Sequence, residues 1–101
     1  MTQNFPRIVH VFVRGRVQKV GYRAWTEGQA DARGLVGWVR NRLDGAVEAV
    51  FAGSNEQVAG MTQACWRGPS SAEVSAVEVQ DADASSLGPA SSAGFVVLPT
   101  A

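Results

Sequence analysis

The chain has 101 residues, 46% of them hydrophobic, and nine Lys plus Arg balance nine Asp plus Glu. That suits one small globular domain burying roughly 60 to 65% of its unfolded surface, too short for two domains or for a large haem or flavin cavity. One Cys (Cys65) and one His (His10) cannot form an internal disulfide or a Cys and His metal cluster. No apolar run reaches the roughly 18 residues that cross a bilayer, and Met1-Thr2-Gln3-Asn4-Phe5-Pro6 lacks the basic-then-apolar layout of a secretion leader, so a cytoplasmic protein without a membrane partner is expected.

In chain order, Ile8-Val9-His10-Val11-Phe12-Val13, between Arg7 and Arg14, is rich in β-branched and aromatic residues and predicts an interior strand ending at Gly15. Residues 22–33 (YRAWTEGQADAR) are Ala-rich and free of Pro, which predicts a helix with a short apolar face of Tyr22, Trp25, Thr26 and Ala30, stopped by Gly34. Residues 35–41 and 46–52 read as strands joined through Arg42-Leu43-Asp44-Gly45, whose Asp-Gly pair is a hairpin signal. Ser54 or Asn55 can cap a second helix with Val58, Met61, Thr62 and Cys65 on one face, ending near Gly68-Pro69. That spacing makes Cys65 a packing residue rather than a nucleophile. A strand over residues 72–79 follows, then an Ala, Ser and Gly-rich loop over residues 82–94 and a short strand over residues 95–98.

The order β-α-β-β-α-β plus a short terminal strand is the split βαβ pattern of a ferredoxin-like α+β sandwich. It predicts two helices on one face of an antiparallel sheet, in a single domain over residues 1–101 with its core at about 7–98. In a β-α-β unit the crossover helix returns the chain so that both strands run the same way, which brings Arg14-Gly15 and Arg40-Asn41 to one sheet edge. Charge is concentrated in the same part of the chain. Residues 1–42 hold eight basic groups and two acidic ones, a net +6, and residues 43–101 hold one basic group and seven acidic ones, a net −6. Such a split suggests an anion site in the N-terminal part, against the plainer reading of a solvated basic face.

The segment Gly15-Arg16-Val17-Gln18-Lys19-Val20-Gly21-Tyr22-Arg23 connects a strand to a helix start, where unpaired backbone N–H groups and the helix dipole favour a phosphate or carboxylate. Arg23 can add a bidentate, permanently charged fork. A cation in the first helical turn opposes the dipole, so its presence favours a ligand over helix stability. The segment is neither a Walker A loop nor a Rossmann loop.

Gly15 to Arg23, followed by Gly37-Trp38-Val39-Arg40-Asn41, Asp44-Gly45-Ala46-Val47-Glu48 and Gly53, resembles the two signatures of the acylphosphatase family. The resemblance implies that family's sandwich fold and hydrolysis of small acyl phosphates to a carboxylate and inorganic phosphate, without metal or organic cofactor. It implies that Arg23 binds phosphate, that Asn41 positions water, and that the amides of Arg16, Val17, Gln18, Lys19, Val20, Gly21 and Tyr22 cradle the phosphoryl oxygens. Lys19 stands where the family pattern has glycine. It must adopt a left-handed backbone at a cost of about 1 to 2 kcal/mol, or the loop must shift and loosen its cradle; its charge can also attract substrate.

The chemistry is coherent on its own terms. An acyl phosphate has a good carboxylate leaving group, so phosphoryl transfer through a loose transition state needs a fixed phosphate, stabilised oxygens and an in-line water rather than a strong general acid. Asn41 can orient water through its amide oxygen but takes no proton at neutral pH, so phosphate or solvent accepts it. Plainer readings accompany the rest. Asn41 alone is a fair turn residue. Arg14, Arg16, Arg40 and Arg42 read as a solvated basic rim, His10 as a satisfied structural residue, and Trp25, Trp38 and Trp66 as core or half-buried packing. The competing class is a non-catalytic module that binds an anion or a protein. An RNA-binding reading lacks both an aromatic-rich strand motif and a basic surplus. Inorganic phosphate or sulfate is the expected product-like ligand, and a monomer the expected state.

Overall fold

The computed structural model describes residues 5–92 and 94–101, apart from the side chains of 89–92. Residues 1–4, read above for a leader, lie outside the described residues. The elements are β1 (Arg7–Arg16), α1 (Tyr22–Ala32), β2 (Val36–Asn41), β3 (Val47–Gly53), α2 (Asn55–Cys65), β4 (Glu73–Asp81), a 3-10 segment (Ala84–Ser92) and β5 (Phe95–Val97). They form a five-stranded sheet in the order β4-β1-β3-β2-β5. β1 and β2 both run antiparallel to β3, which lies between them, so their C-terminal ends meet at one edge as the crossover rule requires.

Strand alternation sorts the side chains onto two faces. On the helix-covered face, Val9, Val11 and Val13 of β1, Val39 of β2 and Val47, Ala49 and Phe51 of β3 pack against Tyr22 and Ala30 of α1 and Val58, Met61 and Cys65 of α2. Helix α2 starts with a capping box: Ser54 accepts from the Gln57 amide while the Gln57 side chain accepts from the Ser54 amide. Its buried face includes Ala64, whereas Thr62, expected there, bonds back to Ala59 at the surface. The Asp44-Gly45 hairpin forms as predicted, with Asp44 accepting from the Ala46 amide and Gly45 at φ 97°.

Two expectations need correction. The sheet is mixed rather than antiparallel, because β5 pairs parallel with β2 (Trp38 opposite Val96). Residues 84–92, expected as loop, make 3-10 turns that cover part of the sheet face opposite the helices. Leu87 there is 1% exposed in a second cluster with Trp38, Val50 and Ala52, and the Trp38 indole N–H donates to the Ser86 carbonyl. Burying one leucine and satisfying one indole turns a Ser- and Ala-rich segment into a cover.

Candidate functional site

The loop between β1 and α1 is built by backbone constraints at both ends. β1 changes register against β4 between Arg14 and Gly15, and Gly15 (φ 122°) lies so close to β4 that a Cβ would sit 2.2 Å from the Glu73 carbonyl oxygen. The extra residue, Ser75, lies on β4, and β1 keeps its pairing through Arg16 opposite Glu73 before the loop begins. At the far end Gly21 (φ 82°) precedes α1 with no side-chain cap, and the first turn holds no acidic residue. The first described intrahelical bond runs from the Trp25 amide to the Gly21 carbonyl, so the amides before it have no carbonyl one turn back. An N-terminus left open in this way offers partial positive charge to an anion.

Between these ends Val17 is fully buried, and the Gln18 side-chain amide donates to the carbonyls of Arg42 (2.7 Å) and Ala46 (2.9 Å). Gln18 therefore ties the loop to the β2–β3 hairpin, which also carries Asn41. Lys19 adopts φ 64°, the one positive φ among the described non-glycine residues. The lysine pays the left-handed cost, about 1 to 2 kcal/mol, and the loop keeps its turn.

Val17, Lys19, Gly21, Tyr22, Arg23 and Asn41 line one cleft of about 340 Å³, together with Ala24, Glu27 and Val97. Asn41, at the end of β2, is 9% exposed. No described buried side-chain polar atom lacks a partner, and Asn41 makes no described side-chain hydrogen bond, so its amide opens to the cleft. The Ala101 amide donates to its carbonyl, fixing the strand end from the other side. Arg16, Gln18 and Val20 turn their side chains elsewhere: Arg16 reaches Glu73 at 3.3 Å, Gln18 makes the tether, and Val20 packs against the helix-side core. Only their backbone is available to a cradle. Ala24, Glu27 and Val97 escaped sequence reading. Glu27 lies four residues along α1 from Arg23, a spacing that signals a shared face; Val97 arrives through the parallel β5 pairing, which carries no local sequence signal.

The expected rim of arginines is solvent-exposed at Arg16 and half-exposed at Arg14, and all four of its arginines also make ion pairs. Arg14 meets Asp44 (3.5 Å) and Glu78 (3.1 Å), and Arg40 (2.7 Å) and Arg42 (3.3 Å) both meet Glu48. The Glu48 side chain, 5% exposed, also takes His10 Nε2 at 2.6 Å, which satisfies that histidine. Burial pushes the Glu48 carboxyl up, but hydrogen bonds from Arg40 and His10 outweigh it and hold the group below the usual carboxylate range. Asp44 is held below the usual carboxylate range first by the hydrogen bond from the Ala46 amide and then by the charge of Arg14. Lys19 and Arg23 have no such carboxylate partner among the described residues.

Other reactive groups serve packing. The Tyr22 hydroxyl donates to the Cys65 carbonyl at 2.6 Å, joining the start of α1 to the end of α2, and burial pushes its phenol well above the usual range. Burial likewise pushes the Cys65 thiol up to about 11, so it is no thiolate nucleophile at neutral pH. Trp38 is core and Trp25 half-buried as expected, whereas Trp66, just after α2, is 52% exposed.

The sequence model of the acylphosphatase family matches residues 9–90. An acylphosphatase of Bradyrhizobium diazoefficiens is 55% identical over 95 residues, covering 92% of this chain and 95% of the relative. Two solved structures share the fold at comparable coverage. The acylphosphatase from Coxiella burnetii has a TM-score of 0.81 at 33% identity over 91% of this chain and 92% of that one. The acylphosphatase from Bacillus subtilis has a TM-score of 0.80 at 32% identity over 90% and 97%. With the matching motifs converging on one cleft, the chain belongs to the acylphosphatase family.

Proposed function

We propose that the cleft between the 15–23 loop and Asn41 hydrolyses the carboxyl–phosphate bond of small acyl phosphates, with Arg23 and Asn41 as its catalytic residues. The observation that carries this assignment is the meeting in one cleft of an arginine with no carboxylate partner among the described residues, an uncapped helix start without acids, and an open asparagine amide. The phosphoryl oxygens lie against the amides of the loop and of the first turn of α1, and the Arg23 guanidinium forks onto two of them. Asn41 accepts a hydrogen bond from a water and holds it in line with the bond to be broken. Water oxygen bonds to phosphorus while the phosphorus–acyl oxygen bond breaks, and the leaving carboxylate takes the electron pair. The water's proton passes to phosphate or solvent, since Asn41 holds no basic site at neutral pH. A leaving group this good needs no protonation, which supports catalysis without metal or organic cofactor. The protein acts as one domain, as a cytoplasmic monomer that binds inorganic phosphate or sulfate as a product-like ligand and no nucleic acid.

The test is hydrolysis of benzoyl phosphate by purified protein in the presence of a chelator, for the wild type and Arg23→Ala. Turnover that resists the chelator and falls at least about 10²- to 10³-fold in the variant is expected. A wild type that phosphate protects against heat but that turns over no substrate would leave only a binding module.

A further inference from the structure

Lys19 is the one described non-glycine residue with a positive φ, and the hydrolysis does not explain it. It holds a left-handed backbone that glycine would adopt without cost, it is exposed at the cleft, and its ammonium has no carboxylate partner among the described residues. Strain kept at a site wall points to use of the side chain there.

In-line displacement says where that use lies. The attacking water and the departing acyl oxygen stand on opposite sides of phosphorus. Asn41 at the end of β2 is nearly buried whereas Lys19 is exposed at the same cleft, so of the two the lysine is the one placed to meet the part of the substrate that faces solvent, which we take to be the departing acyl group. Arg23 and the loop amides already serve the phosphoryl charge, so a second cation is surplus to it. The remaining charged side chain of the cleft is Glu27, four residues along α1 from Arg23, which repels an anion from that wall.

We propose that Lys19 is a specificity-determining residue: its ammonium recognises an acyl group that carries an anionic group of its own, such as a free carboxylate, and directs selection toward negatively charged acyl chains over neutral ones. This rests on the assignment of the cleft given above. An exposed charge pair of this kind changes affinity by a few-fold and is screened by salt.

The experiment compares kcat/KM for succinyl phosphate and benzoyl phosphate in the wild type, Lys19→Asn and Lys19→Gly, at low and high ionic strength. Asn tolerates the left-handed region and Gly removes its strain, so backbone and charge are separated. The expected result is a succinyl-to-benzoyl preference that drops about threefold in both variants, carried by KM, and a wild-type preference that salt erodes while the variants' does not. A ratio equal in all three proteins overturns the proposal while benzoyl phosphate turnover keeps the catalytic assignment standing. A ratio that falls only in Lys19→Gly overturns it too, by assigning the effect to the backbone. Loss of both activities in the wild type would defeat the cleft assignment itself.

Discussion

Two clusters of charge sit back to back at the end of β2, and they differ in one respect. On the sheet face away from the helices, Arg40, Arg42 and His10 close on the buried carboxylate of Glu48, and Arg40 lies over the Trp38 ring with its guanidinium carbon 4.9 Å from the centroid. On the helix side, one residue along the same strand, Asn41 shares a cleft with Arg23 and Lys19, whose charges no described carboxylate answers. The pleat that separates Arg40 from Asn41 thus separates structure from chemistry. A cation neutralised inside the protein is part of the fold. One left without a partner where a helix offers bare amides is poised for an anion from outside.

The largest effect expected from breaking this contrast is on the open side. Asn41→Ala should lower kcat for acyl phosphate hydrolysis about 10²- to 10³-fold with phosphate affinity little changed, because the arginine and the amides remain. Phosphate protection against thermal unfolding, measured beside kinetics, checks both halves of that statement.

On the closed side the effect should fall on stability. Glu48→Gln leaves Arg40, Arg42 and His10 without their shared anion and should cost about 1 to 3 kcal/mol, read by urea unfolding, because water reaches the half-buried arginines and softens the loss. Its pH dependence has a definite sign. The folded-state carboxyl titrates below its ordinary value of 4.5, so the stability it supplies is complete above that value and is lost as the pH falls below it. The variant should therefore lose less stability than the wild type between pH 5 and pH 3, and parallel curves would exclude the Glu48 contribution.

The smallest effect joins the two regions. Gln18→Ala removes two hydrogen bonds between the loop and the hairpin, about 1 kcal/mol of stability, and should raise KM more than it lowers kcat as the cradle loosens. An unchanged KM would mean that the loop holds its shape without the tether.

Much of this was legible in the sequence because it is local chemistry. Asp44-Gly45 announces its hairpin, Ser54 or Asn55 a helix start, with the structure choosing Ser54, and β-branched runs mark the inner strands. The loop and Asn41 were legible through motif and through the rule that parallel strands end at one edge. What escaped depends on register across the sheet. Nothing in Phe95–Val97 says whether three residues pair parallel or antiparallel, and nothing in an Ala and Ser-rich segment marks Leu87 as the residue that seals the second face. The arginine rim looked solvated because side-chain pairing follows strand register: Arg14 and Glu78 meet only because β4 lies beside β1, and Arg40 meets Glu48 because the β2–β3 hairpin sets the two opposite each other.

The most direct measurement sets two arginines of the same chain against each other. Arg23→Ala and Arg40→Ala are compared for kcat/KM on benzoyl phosphate and for the midpoint of urea unfolding. Arg23→Ala should lose at least about 10²-fold in kcat/KM with its midpoint nearly kept, and Arg40→Ala should lose midpoint while kcat/KM stays within about threefold. The reverse pattern, or equal losses of activity in both, would contradict the division between paired and unpaired charge on which the account rests.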